Sequence, residues 1–277
     1  MTRDTLGTIG WSLCIIAAIA PFEWLSPAEK GQPWSKRLAN VAYMPFITGF
    51  IFLMQPAVNA AAGALVSTGS LLAVLVRPPS DGVWTFLYSL LYAILWDIWQ
   101  YWVHRAQHIC RPLWATHKFH HSERALNVTT HARTHAASHV LFLILYAPVV
   151  LLLGSMAPHW IAALIMFRLW GYINHANVRL HLGVLTPLIS GPQWHRIHHS
   201  VRREHHDRNF ATYFPWIDML FGTYYRPHRN EYPPTGLADK HDVSFLQDAT
   251  IEPIRVWARM VRRSLSLLSV SSGRDVP

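Results

Sequence analysis

His104-Arg105-Ala106-Gln107-His108, His117-Lys118-Phe119-His120-His121 and His195-Arg196-Ile197-His198-His199 are the three short runs on which the reading of this chain turns. They lie within His104 to His206, a stretch that holds all but two of the eighteen histidines. Residues three and four apart on a helix share a face, so the first run aims two imidazoles one way and each of the others aims three. A lone histidine is most often a surface or hydrogen-bonded core residue. Two HxxHH runs and one HxxxH run beside apolar segments form a different pattern. Imidazole is the commonest metal ligand, and eight of them from three short segments are enough for a dinuclear metal site.

The composition sets the surroundings. Of 277 residues, 51% are hydrophobic, thirteen are Trp and only 14% are charged, against about 25% charged in soluble domains. This is the composition of an integral membrane protein. The net charge of +9 does not indicate nucleic-acid binding, because the basic residues sit at the ends of apolar runs and in the histidine-rich loops. That placement suits the cytoplasmic surface of a membrane. Cys14 and Cys110 form no CxxC pair, so neither a disulfide framework nor a zinc knuckle is available.

Taken in order, Leu6 to Leu25 is long enough to cross a bilayer. Ala18-Ile19-Ala20 resembles a signal-peptide cleavage site, but Asp4 dilutes the charged start and Pro21 would follow the cut, which favours a retained helix. Lys30, Lys36 and Arg37 in the linker from Ser26 to Ala39 assign that linker to the cytoplasm. Val41 to Val58, interrupted by Pro45 and Pro56, reads as a second span, and Ala60 to Val76 as a separate peripheral or re-entrant run before a turn at Arg77 to Gly82. Val83 to Val103 then delivers His104 and His108 to the cytoplasmic boundary. Asp97 inside that span is costly in an apolar helix, and is expected to orient a metal-bound histidine. Pro112 and Pro192 open the helices that carry the two HxxHH runs.

Between those helices, His131, His135 and His139 repeat at four-residue spacing. They read as groups supporting the ligands or lining the substrate mouth, with a place in the metal shell left open. Val140 to Trp170, broken at Gly154 to Pro158, reads as a helical hairpin that returns the chain to the face it left, so that His175, His181 and the second HxxHH run meet the first two clusters. The aromatic stretch His205 to Tyr225 reads as a lid. Thr250 onward reads as a basic amphipathic helix for anionic lipid, with Arg255, Arg259, Arg262 and Arg263, and Ser269 to Pro277 as disordered. The expected organisation is an N-terminal membrane region over 1–82, a catalytic domain over 83–227 and a basic tail over 228–277.

The three histidine runs, with Asn174-His175-Ala176-Asn177 before the last and Trp216-Ile217-Asp218-Met219-Leu220-Phe221-Gly222-Thr223-Tyr224 after it, resemble the membrane-bound fatty acid hydroxylase superfamily, including its sterol desaturase branch. The resemblance covers roughly Trp84 to Pro227. It implies an all-α, polytopic membrane protein with a cytosolic helical cap around two iron ions, for which zinc is a possible substitute. It also implies O2-dependent hydroxylation or desaturation of a membrane lipid. The family's ligands map onto His104, His108, His117, His120, His121, His195, His198 and His199, with His175 as a ninth. His181 is the candidate tenth, although its spacing departs from the family's HxxxH.

Cleaving an unactivated C–H bond requires cofactor chemistry. No flavin, haem or CxxC element is visible, so a separate electron-donor protein is implied, and a basic face suits an acidic one. Asp97, Glu123, Asp207 and Asp218 are candidates for offsetting metal charge. The competing readings are a zinc-dependent membrane hydrolase, which needs only three protein ligands, and a histidine-lined metal transporter, whose ligands would thread the bilayer. Replacing both Cys14 and Cys110 by Ser is expected to leave metal content unchanged by elemental analysis, since thiolates play no part in this ligand set.

Overall fold

The computed structural model describes residues 3–67, 82–140, 157–238 and 244–272. Among them the chain is helical with no β-strand, and extended pairing is limited to isolated bridges at Pro27 with Val178 and Ser200 with Thr235. The longer elements are α1 (Arg3–Leu25), α2 (Trp34–Ser67), α3 (Gly82–Ile109), α4 (Arg111–His121) and α5 (Ala157–His175). The short helices α6 (Pro192–His198), α7 (Trp216–Leu220) and α8 (Phe245–Thr250) follow, then α9 (Glu252–Ser272). A 3-10 turn, Val128–Ala132, lies between α4 and α5.

Three stretches, Asp4–Leu25, Trp34–Ala57 and Gly82–Ile109, are long and apolar enough to cross a membrane. Only 17, 28 and 25% of their windows are buried within the protein. Trp11, Leu13, Phe46, Leu53, Phe86 and Leu91 therefore face outward, which water would penalise and lipid would not. Helix α2 corrects one expectation. It runs unbroken through Pro45 and Pro56 to Ser67 and takes in the start of the run read as separate from Ala60. In an apolar span, neighbouring helices can re-satisfy the carbonyls that proline frees. The remainder of that run, most of the turn after it and the Gly154–Ser155–Met156 part of the expected hairpin break lie outside the described residues, as do 273–277. Helix α9 extends through Ser272, further than the expected onset of disorder at Ser269.

What positions the site is a convergence of helix ends. The C-terminal ends of α1, α3 and α5 and the N-terminal end of α2 face the cap, and buried Glu23 of α1 ties α2, the 3-10 turn and the residues just after α5 to α1. Its carboxylate accepts from the backbone N–H groups of Val128 (2.8 Å) and Asn177 (2.7 Å) and pairs with Arg37 of α2. Arg37, read from the sequence as a marker of sidedness, is thus held by a specific buried partner. Apolar packing completes the arrangement: Tyr92, Ala93 and Trp96 of α3 pack on Phe167 of α5, and Ile15 of α1 packs on Val128 and Tyr172.

The stretch assigned to the tail begins inside the cap. Arg196 Nε donates to Pro233 O (2.8 Å), Gln193 Nε2 to His228 O (2.8 Å) and Ser122 Oγ to Asp248 (2.8 Å). Helix α9 lies against α4, where Trp257 Nε1 donates to Pro112 O at 2.9 Å. Replacing Glu23 by Ala strands the Arg37 guanidinium and two amides. A loss of about 3–5 kcal/mol in stability is expected, read as a lower melting temperature in detergent, with Arg37→Ala adding less than its own separate effect.

Candidate metal centre

Each histidine run reaches the centre by local helix geometry. His104 and His108 occupy the last turns of α3. Pro112 in the first turn of α4 starts the helix that carries His117, His120 and His121. His175 ends α5, and Gly191-Pro192 start α6, which carries His195 and His198, with His199 at its C-terminal cap. Nine histidines fall into two groups, each with one ring nitrogen per residue within 4.8 Å of the others: His104, His108, His117, His121 and His198, and His120, His175, His195 and His199. The HxxHH spacing explains the division. Each run gives its i, i+4 pair to one group and its remaining histidine to the other, in opposite senses for α4 and α6.

The ring nitrogens confront one another in a way that hydrogen bonding does not account for. His120 Nδ1 stands 3.1 Å from Arg133 O and His175 Nδ1 2.6 Å from Gly171 O. A carbonyl oxygen only accepts, so both Nδ1 atoms carry the proton and both Nε2 atoms present lone pairs. Those two Nε2 atoms lie 3.0 Å apart. Nε2 atoms also approach to 3.1 Å for His104 with His117, His117 with His121, His175 with His195 and His195 with His199, and to 3.2 Å for His108 with His121. His198 Nε2 is buried with no partner, while its Nδ1 donates to Arg208 O at 2.8 Å.

A cation between the rings removes the repulsion. Ligands at right angles on metal–nitrogen bonds of about 2.1 Å stand about 3.0 Å apart, and tetrahedral ones about 3.4 Å. The observed spacing is that of imidazoles sharing a metal ion. Burial first, and then repulsion from neighbouring imidazoles, holds His117, His120, His121, His195, His198 and His199 well below the ordinary histidine range. They are neutral at pH 7, the form that binds metal.

Residues 89–223 match the family model described as "Fatty acid hydroxylase". The chain carries a fatty acid hydroxylase domain. It is 32% identical over 179 residues to alkylglycerol monooxygenase of Homo sapiens, covering 64% of this chain and 37% of that protein. It is 28% identical over 248 residues to the ornithine lipid hydroxylase OlsE of Rhizobium tropici, covering 84% and 72%. With the Delta(7)-sterol-C5(6)-desaturase of Nicotiana tabacum it shares 26% identity over 141 residues, covering 50% and 49%. No solved structure matches.

The acids of this hydroxylase domain act differently from the expectation. Asp97 touches no histidine; its carboxylate accepts from the backbone N–H groups of Thr212 (2.8 Å), Tyr213 (2.9 Å) and Phe214 (2.7 Å). Asp218 accepts from Phe210 N (2.7 Å), Ala211 N (2.9 Å) and Thr223 Oγ1 (2.7 Å). Five consecutive amides, 210–214, are thus held by two buried carboxylates, and Phe210 O in turn receives His104 Nδ1 at 2.8 Å. Asp97 acts on the histidines through this loop. The physical reason is that a row of buried amides without strand partners has no other acceptor. Glu123 binds Asn40 Nδ2 (3.2 Å) and Ala125 N (3.0 Å). Asp207 reaches a ligand candidate, lying 3.5 Å from His108 Nδ1.

His181 lies outside both groups, with Nδ1 on Gln193 Oε1 at 2.7 Å. His135 and His139 also lie outside, on Thr250 O (3.2 Å) and Thr134 Oγ1 (2.9 Å). His131 stacks on Tyr172 with centroids 4.3 Å apart and reaches within 5.6 Å of the His175 ring. Gly171 makes that approach possible, since a Cβ there would stand 2.4 Å from the His131 ring. The sequence reading passed over Gly171, although an isolated glycine in an apolar helix is the usual signal of such contact. Asp97→Asn turns a donor toward the amides of 213 and 214. It is expected to keep the fold by circular dichroism but to lose about 10- to 100-fold in metal affinity.

Proposed function

We propose that this protein is a membrane-embedded, non-haem di-iron oxygenase that hydroxylates or desaturates an unactivated C–H bond of a lipid. The observation that carries the reading is a cavity of about 460 Å³ that reaches the histidines and is walled by apolar side chains. Met44, Ile47 and Ile51 of α2, Trp96 of α3 and Phe167 of α5 form those walls, and His104, His117, His120, His175 and His195 face into the cavity. An aliphatic chain entering between the helices exchanges bilayer for protein contacts and arrives at the histidines.

His104, His108, His117, His121 and His198 would hold one iron and His120, His175, His195 and His199 the other, with His181 left to orient Gln193. Two bound irons supply the oxidising capacity for C–H cleavage by O2, which no side chain of this protein has. The protein's own residues do the rest. The carbonyls of Phe210, Arg133, Gly171 and Arg208 hold four imidazoles in the tautomer that presents Nε2. The apolar walls exclude water and align the chain. For hydroxylation, O2 accepts four electrons, two from the C–H bond and two from a separate donor protein, leaving an alcohol and water.

A second cavity of about 340 Å³, bounded by His108, His121, His198, Lys118, His206 and Asp207, gives polar access to the same histidines. The chain's net charge of +9, with Lys118 at this opening, supports an acidic electron carrier and the cytoplasmic placement of the cap. The test is elemental analysis with product detection. Purified protein is expected to hold about two irons per chain, and membranes supplied with lipid, reductant and O2 should form an oxygenated or desaturated product that is absent without O2. Zinc-loaded protein should be inactive. His120→Ala should lose iron and product together; full iron and full turnover in that variant would refute the shared site.

A further inference from the structure

Arg168 lines the same cavity from α5, seven positions before His175. At 1.5 Å rise per residue it sits roughly 10 Å along the helix axis from the histidines. Its Nη2 donates to Ser12 Oγ at 3.1 Å, and its Nε is buried without a partner. Ser12 is itself fully buried, midway along the Asp4–Leu25 span, so the guanidinium lies at membrane depth. Among the described residues no carboxylate forms an ion pair with it, although Arg37, Arg133 and Arg196 each have one. The polar groups that share the cavity near it, His131, His139 and Thr134, are not anions. A guanidinium at this depth is costly, and such residues characteristically face a cavity and pair with something in it. The planar fork of Arg matches a carboxylate or phosphate.

From this we infer that Arg168 anchors an anionic, oxygen-bearing group of the lipid substrate, a carboxylate or a phosphate, inside the cavity. The inference rests on the oxygenase reading and narrows its substrate class. A neutral sterol, ether or carotenoid would leave the charge uncompensated, whereas an acidic lipid neutralises it and extends its chain toward the histidines. Oxidation then falls several carbons from the anchored group.

The test is equilibrium binding to the detergent-solubilised full chain by scintillation proximity, with tritiated palmitate, palmitoyl lysophosphatidate and hexadecanol as probes and iron measured on the same samples. Wild type is expected to bind one or both acidic lipids about 10- to 100-fold more tightly than the alcohol. The tighter of the two identifies the group as carboxylate or phosphate. Arg168→Gln should abolish the preference and leave hexadecanol binding unchanged, while Arg168→Lys should keep part of it. Equal binding of acids and alcohol by wild type overturns the proposal, as does a preference that survives in Arg168→Gln. If Arg168→Gln does not fold, the wild-type ratio and Arg168→Lys still decide. Binding is read without turnover, so a chain that lacks iron would refute the oxygenase reading separately.

Discussion

Buried neutral imidazoles with their Nε2 atoms gathered at 3.0 to 3.2 Å, lone pair against lone pair for His120 and His175, form the constraint around which the rest of the protein is arranged. Such a cluster is unfavourable when empty. The groups are buried, and protonating one would place a charge among its neighbours. Much of the surrounding structure holds the rings against that repulsion. Backbone carbonyls grip Nδ1 atoms from outside, and those carbonyls belong to segments that are themselves tied down.

The ties are mostly buried acids bonded to backbone. Asp97 and Asp218 hold the loop that presents Phe210 O, and Glu23 holds the 3-10 turn and the residues just after His175. Arg133 presents the carbonyl used by His120 while its guanidinium stacks 4.2 Å over Phe119 and its Nε bonds Phe119 O. A helix ending in a ligand histidine leaves carbonyls free, and the cap is a set of short helices whose ends serve one another.

Beneath the cap the requirement reverses. The walls that α2, α3 and α5 place around the cavity are largely apolar, with Met44, Ile47, Ile51, Trp96 and Phe167, and Arg168 is the charged exception among the described residues there. Relatives named for an alkylglycerol, an ornithine lipid and a sterol are each similar to part of this chain. On the proposed reading, substrate choice falls to the side chains that line this cavity, Arg168 among them.

By itself the sequence determined the class and nominated the histidines that the fold gathers, His181 excepted. Low charge and long apolar runs mark a membrane protein, and HxxxH with two HxxHH runs marks a metal centre, because both signals come from local spacing. His175 was legible only through its Asn-His-Ala-Asn setting. Which histidine joins which group was not legible, since that depends on how α4 and α6 face each other across the site. Nor was the role of Asp97, whose partners at 212–214 lie more than a hundred residues away. The continuity of α2 through two prolines, the demand for glycine at 171 and the lack of a counter-charge for Arg168 among the described residues also belong to the tertiary structure alone. Each depends on what a neighbouring helix places opposite the residue, and spacing along one chain does not record that.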